Sequence, residues 1–264
     1  MRSRFTNLGI FISLALIIIP SLSWAAGFTD GLVVYLPFDE GTGKTAEDAS
    51  GNKNHGTLEG PLKWENGKFG KALRFKTGDG TWVKVESNKQ MNVNEFTFMA
   101  WVNIEDWVGG TRQIVGKSVH GGCAGRVQYG LFSEAGSMKL RLAGEDGQVD
   151  INAKPPATKE WVHIACSNDG KEGKIFYDGE EVAKGNPQGK LKVNDDPWAI
   201  GQDCDRLNYI PTGLIDEVRL WDRALSEKEI GDYMKMGATD VFNTTAVTPG
   251  TKLPLTWSKV KTDY

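Results

Sequence analysis

Histidine, cysteine and an excess of either charge are all scarce in this 264-residue chain. Three histidines, at 55, 120 and 163, lie in an Asx-rich turn, a loop and a strand, and supply no catalytic triad. No Gly-x-Ser-x-Gly elbow, His-Glu-x-x-His zinc site or phosphate-binding P-loop occurs. Lys and Arg number 31 against 34 Asp and Glu, a net charge of −3, so the basic footprint of a nucleic-acid binder is missing. No strand–helix–strand alternation is visible, which argues against a nucleotide-binding α/β fold. There is no internal repeat. Beyond residue 25 no apolar run is long enough to span a bilayer.

The start of the chain carries the clearest local signal. Arg2 and Arg4 precede an apolar stretch from Leu8 to Ile19, which Pro20 breaks. Ser23, Trp24 and Ala25 put small residues at the −3 and −1 positions of a cut before Ala26. The stretch is shorter than the ~20 residues a spanning helix needs, so a cleaved secretory signal over 1–25 is expected rather than an anchor. The expected location is secreted, extracellular or periplasmic. Export puts the cysteines in an oxidising setting. Cys123 lies in a Gly-rich loop, Cys204 in a polar loop and Cys166 in an apolar strand. A Cys123–Cys204 bridge with Cys166 free and buried is the expectation, with three free thiols as the alternative, since connectivity cannot be deduced from sequence alone.

What is abundant is glycine, at 32, and tryptophan, at nine. Short apolar or alternating runs recur between turn clusters, at 32–36, 68–76, 82–85, 96–102, 113–116, 128–132, 138–142, 161–166, 174–177, 180–183, 198–200 and 214–221. Such strands at this spacing predict an all-β sandwich or barrel. One short helix is predicted over 227–236, with Ser226 as N-cap, Glu229 completing a capping box and Gly237 ending it. The domain is expected over 28–237. Residues 238–264 show no sustained period and read as a tail, with one further strand possible at 254–257.

Several stretches together resemble the laminin-G-like (concanavalin A-like) jelly-roll family. They are Tyr35 to Gly43, Asp48 to Leu58, Gly67 to Phe75, Phe96 to Val102, Trp161 to Ala165, Phe176 to Gly179, and Gly213 to Ser226, in the family's order. The resemblance implies a two-sheet antiparallel jelly-roll sandwich, one sheet concave and one convex, and a binding module for glycans or for cell-surface or extracellular proteins. Some relatives are glycanases, which need two carboxylates about 5–10 Å apart. The Glu-x-Asp-x-x-Glu arrangement of glucanase relatives is absent here. A binding module rather than an enzyme is therefore expected, with a lyase or hydrolase the lesser alternative.

The resemblance also implies a structural calcium ion. Calcium takes six to eight oxygen ligands, and Asp39, Asn54, the Gly56 carbonyl and Asp216 are the expected donors. Without the resemblance, 48–56 reads as an Asx-rich turn. The expected ligand-binding rim comprises Trp107, Arg112, His120, Arg126, Asp203, Asp205, Arg206 and Tyr209, since aromatics stack on sugar rings while Arg and Asp bond hydroxyls. Tyr129 and Trp198 read equally well as core residues.

Overall fold

Runs of β-branched and aromatic residues between glycine-rich turns make strands, and sixteen of them form among the described residues. The computed structural model describes residues 27–107, 110–117, 127–202 and 211–245. In chain order the strands are β1 (Leu32–Leu36), β2 (Thr45–Ala46), β3 (Gly56–Glu59), β4 (Lys63–Asn66), β5 (Lys71–Phe75), β6 (Trp82–Val85), β7 (Phe96–Ile104) and β8 (Arg112–Lys117). They continue as β9 (Tyr129–Glu134), β10 (Ser137–Gly144), β11 (Gly147–Ala153), β12 (Val162–Asn168), β13 (Gly173–Tyr177), β14 (Glu180–Gly185), β15 (Trp198–Ile200) and β16 (Gly213–Trp221). Sheet A has the order β14-β13-β12-β7-β16-β5-β4, with β1 added against β16. Sheet B has the order β11-β10-β9-β8-β15-β6-β3-β2. All pairings are antiparallel, and the chain crosses repeatedly between the sheets. After β7 in sheet A it builds β8 to β11 in sheet B, then returns to lay β12 against β7. This is the jelly-roll sandwich expected from the sequence.

Alternation builds the core. Val83, Val85, Leu140, Leu142 and Trp198 of sheet B and Val102, Ile164, Cys166, Ile215 and Val218 of sheet A belong to one buried cluster. Tyr129 and Trp198 are both core residues. Cys166 is buried and free.

A second cluster covers the outer face of sheet A. Tyr35, Met99, Ala165, Phe176 and Trp221 pack there against Phe28, Ile230 and Tyr233. The helix α1 (Glu227–Tyr233) carries the capping box read from the sequence: Ser226 Oγ accepts from Glu229 N, and Glu229 accepts from Ser226 N. It ends three residues earlier than expected, in a turn closed by Lys235 N to Asp232 O and Met236 N to Tyr233 O. A second helix, α2 (Ala238–Thr245), occupies residues read as an aperiodic tail. Asp240 Oδ2 accepts from Gly237 N at its start, and Val241 is buried in the second cluster, so local capping and one anchor make this helix. The 254–257 strand lies outside the described residues.

Beneath α1 lies a buried polar network. Between the core residues Ile215 and Val218, β16 carries two residues instead of one, and its register against β7 shifts there. This bulge holds Glu217 at φ +55 and leaves Asp216 and Glu217 buried. Arg219, fully enclosed, pairs with Glu217 and donates to Tyr35 Oη at 3.2 Å, Tyr233 O at 2.8 Å and Met236 O. Tyr35 Oη donates to Glu217 Oε2 at 2.6 Å. One arginine thus ties the bulge to the first strand and to the end of α1.

Candidate functional site on the outer face of sheet B

No described helix covers sheet B, but the residues that turn outward at its centre, Gly116, Gly130, Phe132 and Ala199, are buried, and only the flanks are exposed in part. Alternation identifies them. Val83 and Val85 enter the core, which turns the half-buried Trp82 and Lys84 outward from β6. Cross-strand registers then define a row over the whole sheet: Thr57, Lys84, Ala199, Gly116, Gly130, Arg141 and Asp150. Its centre, Ala199-Gly116-Gly130, has almost no side chain, while its flanks carry long ones. The outcome is a shallow trough whose floor is buried and whose flanks are part-exposed.

The glycines are required by crowding. A Cβ on Gly130 would lie 2.8 Å from the Phe132 ring, and one on Gly116 would lie 3.0 Å from Gly130 Cα. Phe132 thus folds back over the floor, and the Arg141 guanidinium stands 5.2 Å from its ring centre. Arg141 is fixed by Asp150, with bonds of 2.8 and 2.7 Å from Nε and Nη2. Lys139 holds Glu134 at 2.8 Å, and that bond first of all keeps the Glu134 carboxyl below the usual carboxylate range. Gln113 Nε2 reaches the Ala199 carbonyl at 3.4 Å. Trp82 and Lys84 flank the row on one side and Arg141 on the other, while the floor itself is closed beneath Phe132. What this face offers a polar ligand is the part-exposed indole and the charged groups beside it.

Trp82 and the trough floor were not among the site residues expected from sequence. The signal was present in the alternation Trp82-Val83-Lys84-Val85, which puts tryptophan on the face opposite two core valines. Of the expected rim, Trp107 is instead 5% exposed within the main core, where its apolar area is better removed from water than on a loop. Its carbonyl accepts from Ser133 Oγ at 3.0 Å. Arg112 opens β8 opposite Ser133, with Nη1 donating to Thr111 O at 2.9 Å. His120, Arg126, Asp203, Asp205, Arg206 and Tyr209, together with Cys123 and Cys204, lie outside the described residues.

The expected calcium donors fall into two groups. Asp39 Oδ1 accepts from Lys71 N at 2.9 Å, and Asp216 Oδ2 accepts from Lys68 N and Phe69 N at 2.8 and 3.1 Å. Both carboxylates thus grip the turn between β4 and β5. Asn54 is held elsewhere, donating to Asp48 Oδ2 and Val33 O at 2.8 Å and accepting from Asn88 Nδ2 at 2.6 Å. Gly56 sits in β3 between Ala46 and Val85. Asp216 Oδ1 is buried without a hydrogen-bond partner, and burial, then the neighbouring Glu217, pushes its carboxyl up to about 8. Among the described residues no group of three or more His, Cys, Asp or Glu is arranged to hold a metal.

Two antiparallel sheets in this order define a concanavalin A-like jelly roll. The family model of the concanavalin A-like lectin/glucanases superfamily, of laminin-G type, matches residues 77–231, and the chain belongs to that family. It is 26% identical over 121 residues to the human adhesion G-protein coupled receptor D1, a match covering 44% of this chain and 14% of the receptor. Domain 4 of AbnA, a GH43 extracellular arabinanase from Geobacillus stearothermophilus solved with arabinotriose, has a TM-score of 0.60 at 22% identity, covering 76% of this chain and 97% of that one. The binding domain of botulinum neurotoxin DC, solved with SialylT, has a TM-score of 0.61 at 15% identity, covering 78% of this chain and 52% of that one. The same toxin domain is also similar in its complex with rat synaptotagmin II. Among the described residues no helix is long and apolar enough to cross a membrane.

Proposed function

We propose that this protein is an exported carbohydrate-recognition module that binds glycan in the sheet B trough without turning it over. The observation that carries the reading is the part-exposed Trp82 beside Lys84, which faces Arg141 across the row Ala199-Gly116-Gly130. A half-exposed indole beside fixed charged groups suits a sugar ring, which presents apolar C–H faces and hydroxyl edges. The arabinotriose complex of the AbnA domain supports the same ligand class. Binding without hydrolysis agrees with the ion pairing of the trough's carboxylates, Glu134 with Lys139 and Asp150 with Arg141. A general acid would need its pKa raised instead.

A glycan array with the intact protein tests the reading. Trp82→Ala should lose binding by roughly tenfold to a hundredfold, the effect of one stacking contact. Retained affinity in that variant, or release of shortened glycan, would reject it.

Calcium belongs to the proposal as a structural ion at Asp39 and Asp216. Its support is the buried, unpartnered Asp216 Oδ1 beside the turn that both carboxylates grip. Calcium should raise the melting temperature by binding only the folded state, EDTA should lower it, and Asp216→Asn should remove the difference. Identical melting curves in calcium and EDTA would leave Asp39 and Asp216 as acceptors for backbone N–H groups alone.

A further inference from the structure

A cleft of about 450 Å³ opens where the chain crosses from β6 in sheet B to β7 in sheet A. Lys89, Gln90, Asn92, Asn94, Glu95 and Asp222 line it, and none of them belongs to the trough. Asn92 caps the 3-10 turn Lys89–Met91, and its Oδ1 is buried without a hydrogen-bond partner. Two more buried amide oxygens share that condition on residues that bond the same segment without lining the cleft. Gln128 Nε2 donates to Val93 O at 2.9 Å, and Asn168 Nδ2 donates to Asn94 O at 2.7 Å. Both side chains are 1% exposed, and their oxygens have no donor. Buried acceptors left open cost free energy unless a donor reaches them. The charged heads at the mouth, Lys89, Glu95 and Asp222, form none of the ion pairs found among the described residues, although ion pairs are common elsewhere on this surface.

We propose that this cleft is a second ligand site, which takes the hydroxyl-rich end of a saccharide. The class of ligand rests on the glycan reading above; the place does not. Within the cleft the Asn92 oxygen asks for a donor, and the Lys89 ammonium asks for an acceptor. A sugar hydroxyl is both at once. Two carboxylates at the mouth disfavour an anion, while the Lys89 ammonium and the size of the space disfavour a bare cation. The volume lies within the range of small-molecule pockets.

The test is a titration of isotope-labelled protein, followed by NMR, with L-arabinose, D-galactose, N-acetylglucosamine and arabinotriose. Calcium chloride is the control. Saturable shifts are expected in the backbone amides of 89–95 and in the Asn92 and Asn94 side-chain amides. The double variant Lys89→Ala/Asp222→Ala should weaken that response by roughly tenfold, the effect of one or two lost hydrogen bonds. Asn92→Leu should do the same, while the Trp82 indole response and the melting temperature stay as in the parent. No sugar-induced shift at 89–95, or the same shifts with calcium chloride alone, overturns the proposal. Shifts at Trp82 only would overturn it and leave the trough reading intact. Shifts at 89–95 only would uphold it and reject the trough.

Discussion

The outer faces of the two sheets obey the same alternation and are built from residues of different size. Sheet A turns Tyr35, Met99, His163 and Trp221 away from the core, all of them buried, and α1 with Phe28 closes over that surface. Sheet B turns out glycine and alanine at its centre and Trp82, Lys84 and Arg141 at the margins. Bulky apolar side chains require a cover, because water penalises their exposed area. Sheet B buries small residues and the Phe132 ring at its centre and exposes only its polar or amphipathic flanks. What separates the two faces is therefore the size of the outward residues at the sheet centre.

The sharpest break of that comparison is at Arg219. Arg219→Met should destabilise the protein by about 3–5 kcal/mol in urea denaturation, because Glu217 is left buried without its cation. Adding Glu217→Leu should recover part of the loss. If the single variant unfolds like the parent, the network does not hold the cover.

Acid should act on the same face next. His163 packs edge-on against Trp101 at 5.3 Å, with both ring nitrogens unpartnered. Burial, with Arg219 adding, lowers its pKa to about 3 from 6.5. Between those values the unfolded chain binds the extra proton. This contribution is therefore fully present above the ordinary pKa and is lost as pH falls toward the folded one. By about pH 4 the loss should be on the order of 3 kcal/mol. His163→Phe should flatten that limb of the stability–pH curve, and an unchanged limb would show that the proton binds elsewhere.

Sheet B should register the smallest effect on folding. Trp82→Ala should move the melting temperature by less than a degree or two, within the range of about 0.5 kcal/mol for surface changes, even as glycan affinity falls. A large drop in stability would make Trp82 a cover residue and erase the distinction between the faces.

The sandwich was legible because period-two alternation and turn chemistry are local properties. Met138 to Leu142 and the Ser226–Glu229 capping box needed no tertiary information. The family's ordered stretches placed the sheets correctly. Other features depended on contacts between distant residues. The helix at Ala238–Thr245 rests on Gly237 N meeting Asp240 and on the burial of Val241, and its composition alone gives no period. The bulge in β16 had a local trace, since Ile215 and Val218 are three apart where a regular strand spaces core residues by two. The trough was half legible. Trp82 follows from alternation, but the alignment of Gly116, Gly130 and Ala199 is a matter of register between strands far apart in sequence. Asp39 and Asp216, far apart in sequence, meet at the turn between β4 and β5, whereas Asn54 bonds the Asp48 carboxylate through its backbone N–H.

The pairing of β1 with β16 has a mechanical consequence. Leu32, near the start of the described chain, lies opposite Trp221, and just outside it Trp221 Nε1 donates to Phe28 O at 2.8 Å and Arg223 Nη2 to Gly27 O at 3.0 Å. Tension applied to residue 27 and to the helices after β16 therefore reaches this antiparallel seam at one end. Its bonds would open in succession, like a zip, rather than resisting together in shear. The side-chain bonds at Phe28 and Gly27 stand first in line, so they set the force at which the domain begins to give, and sheet B would stay whole while the seam on sheet A peels.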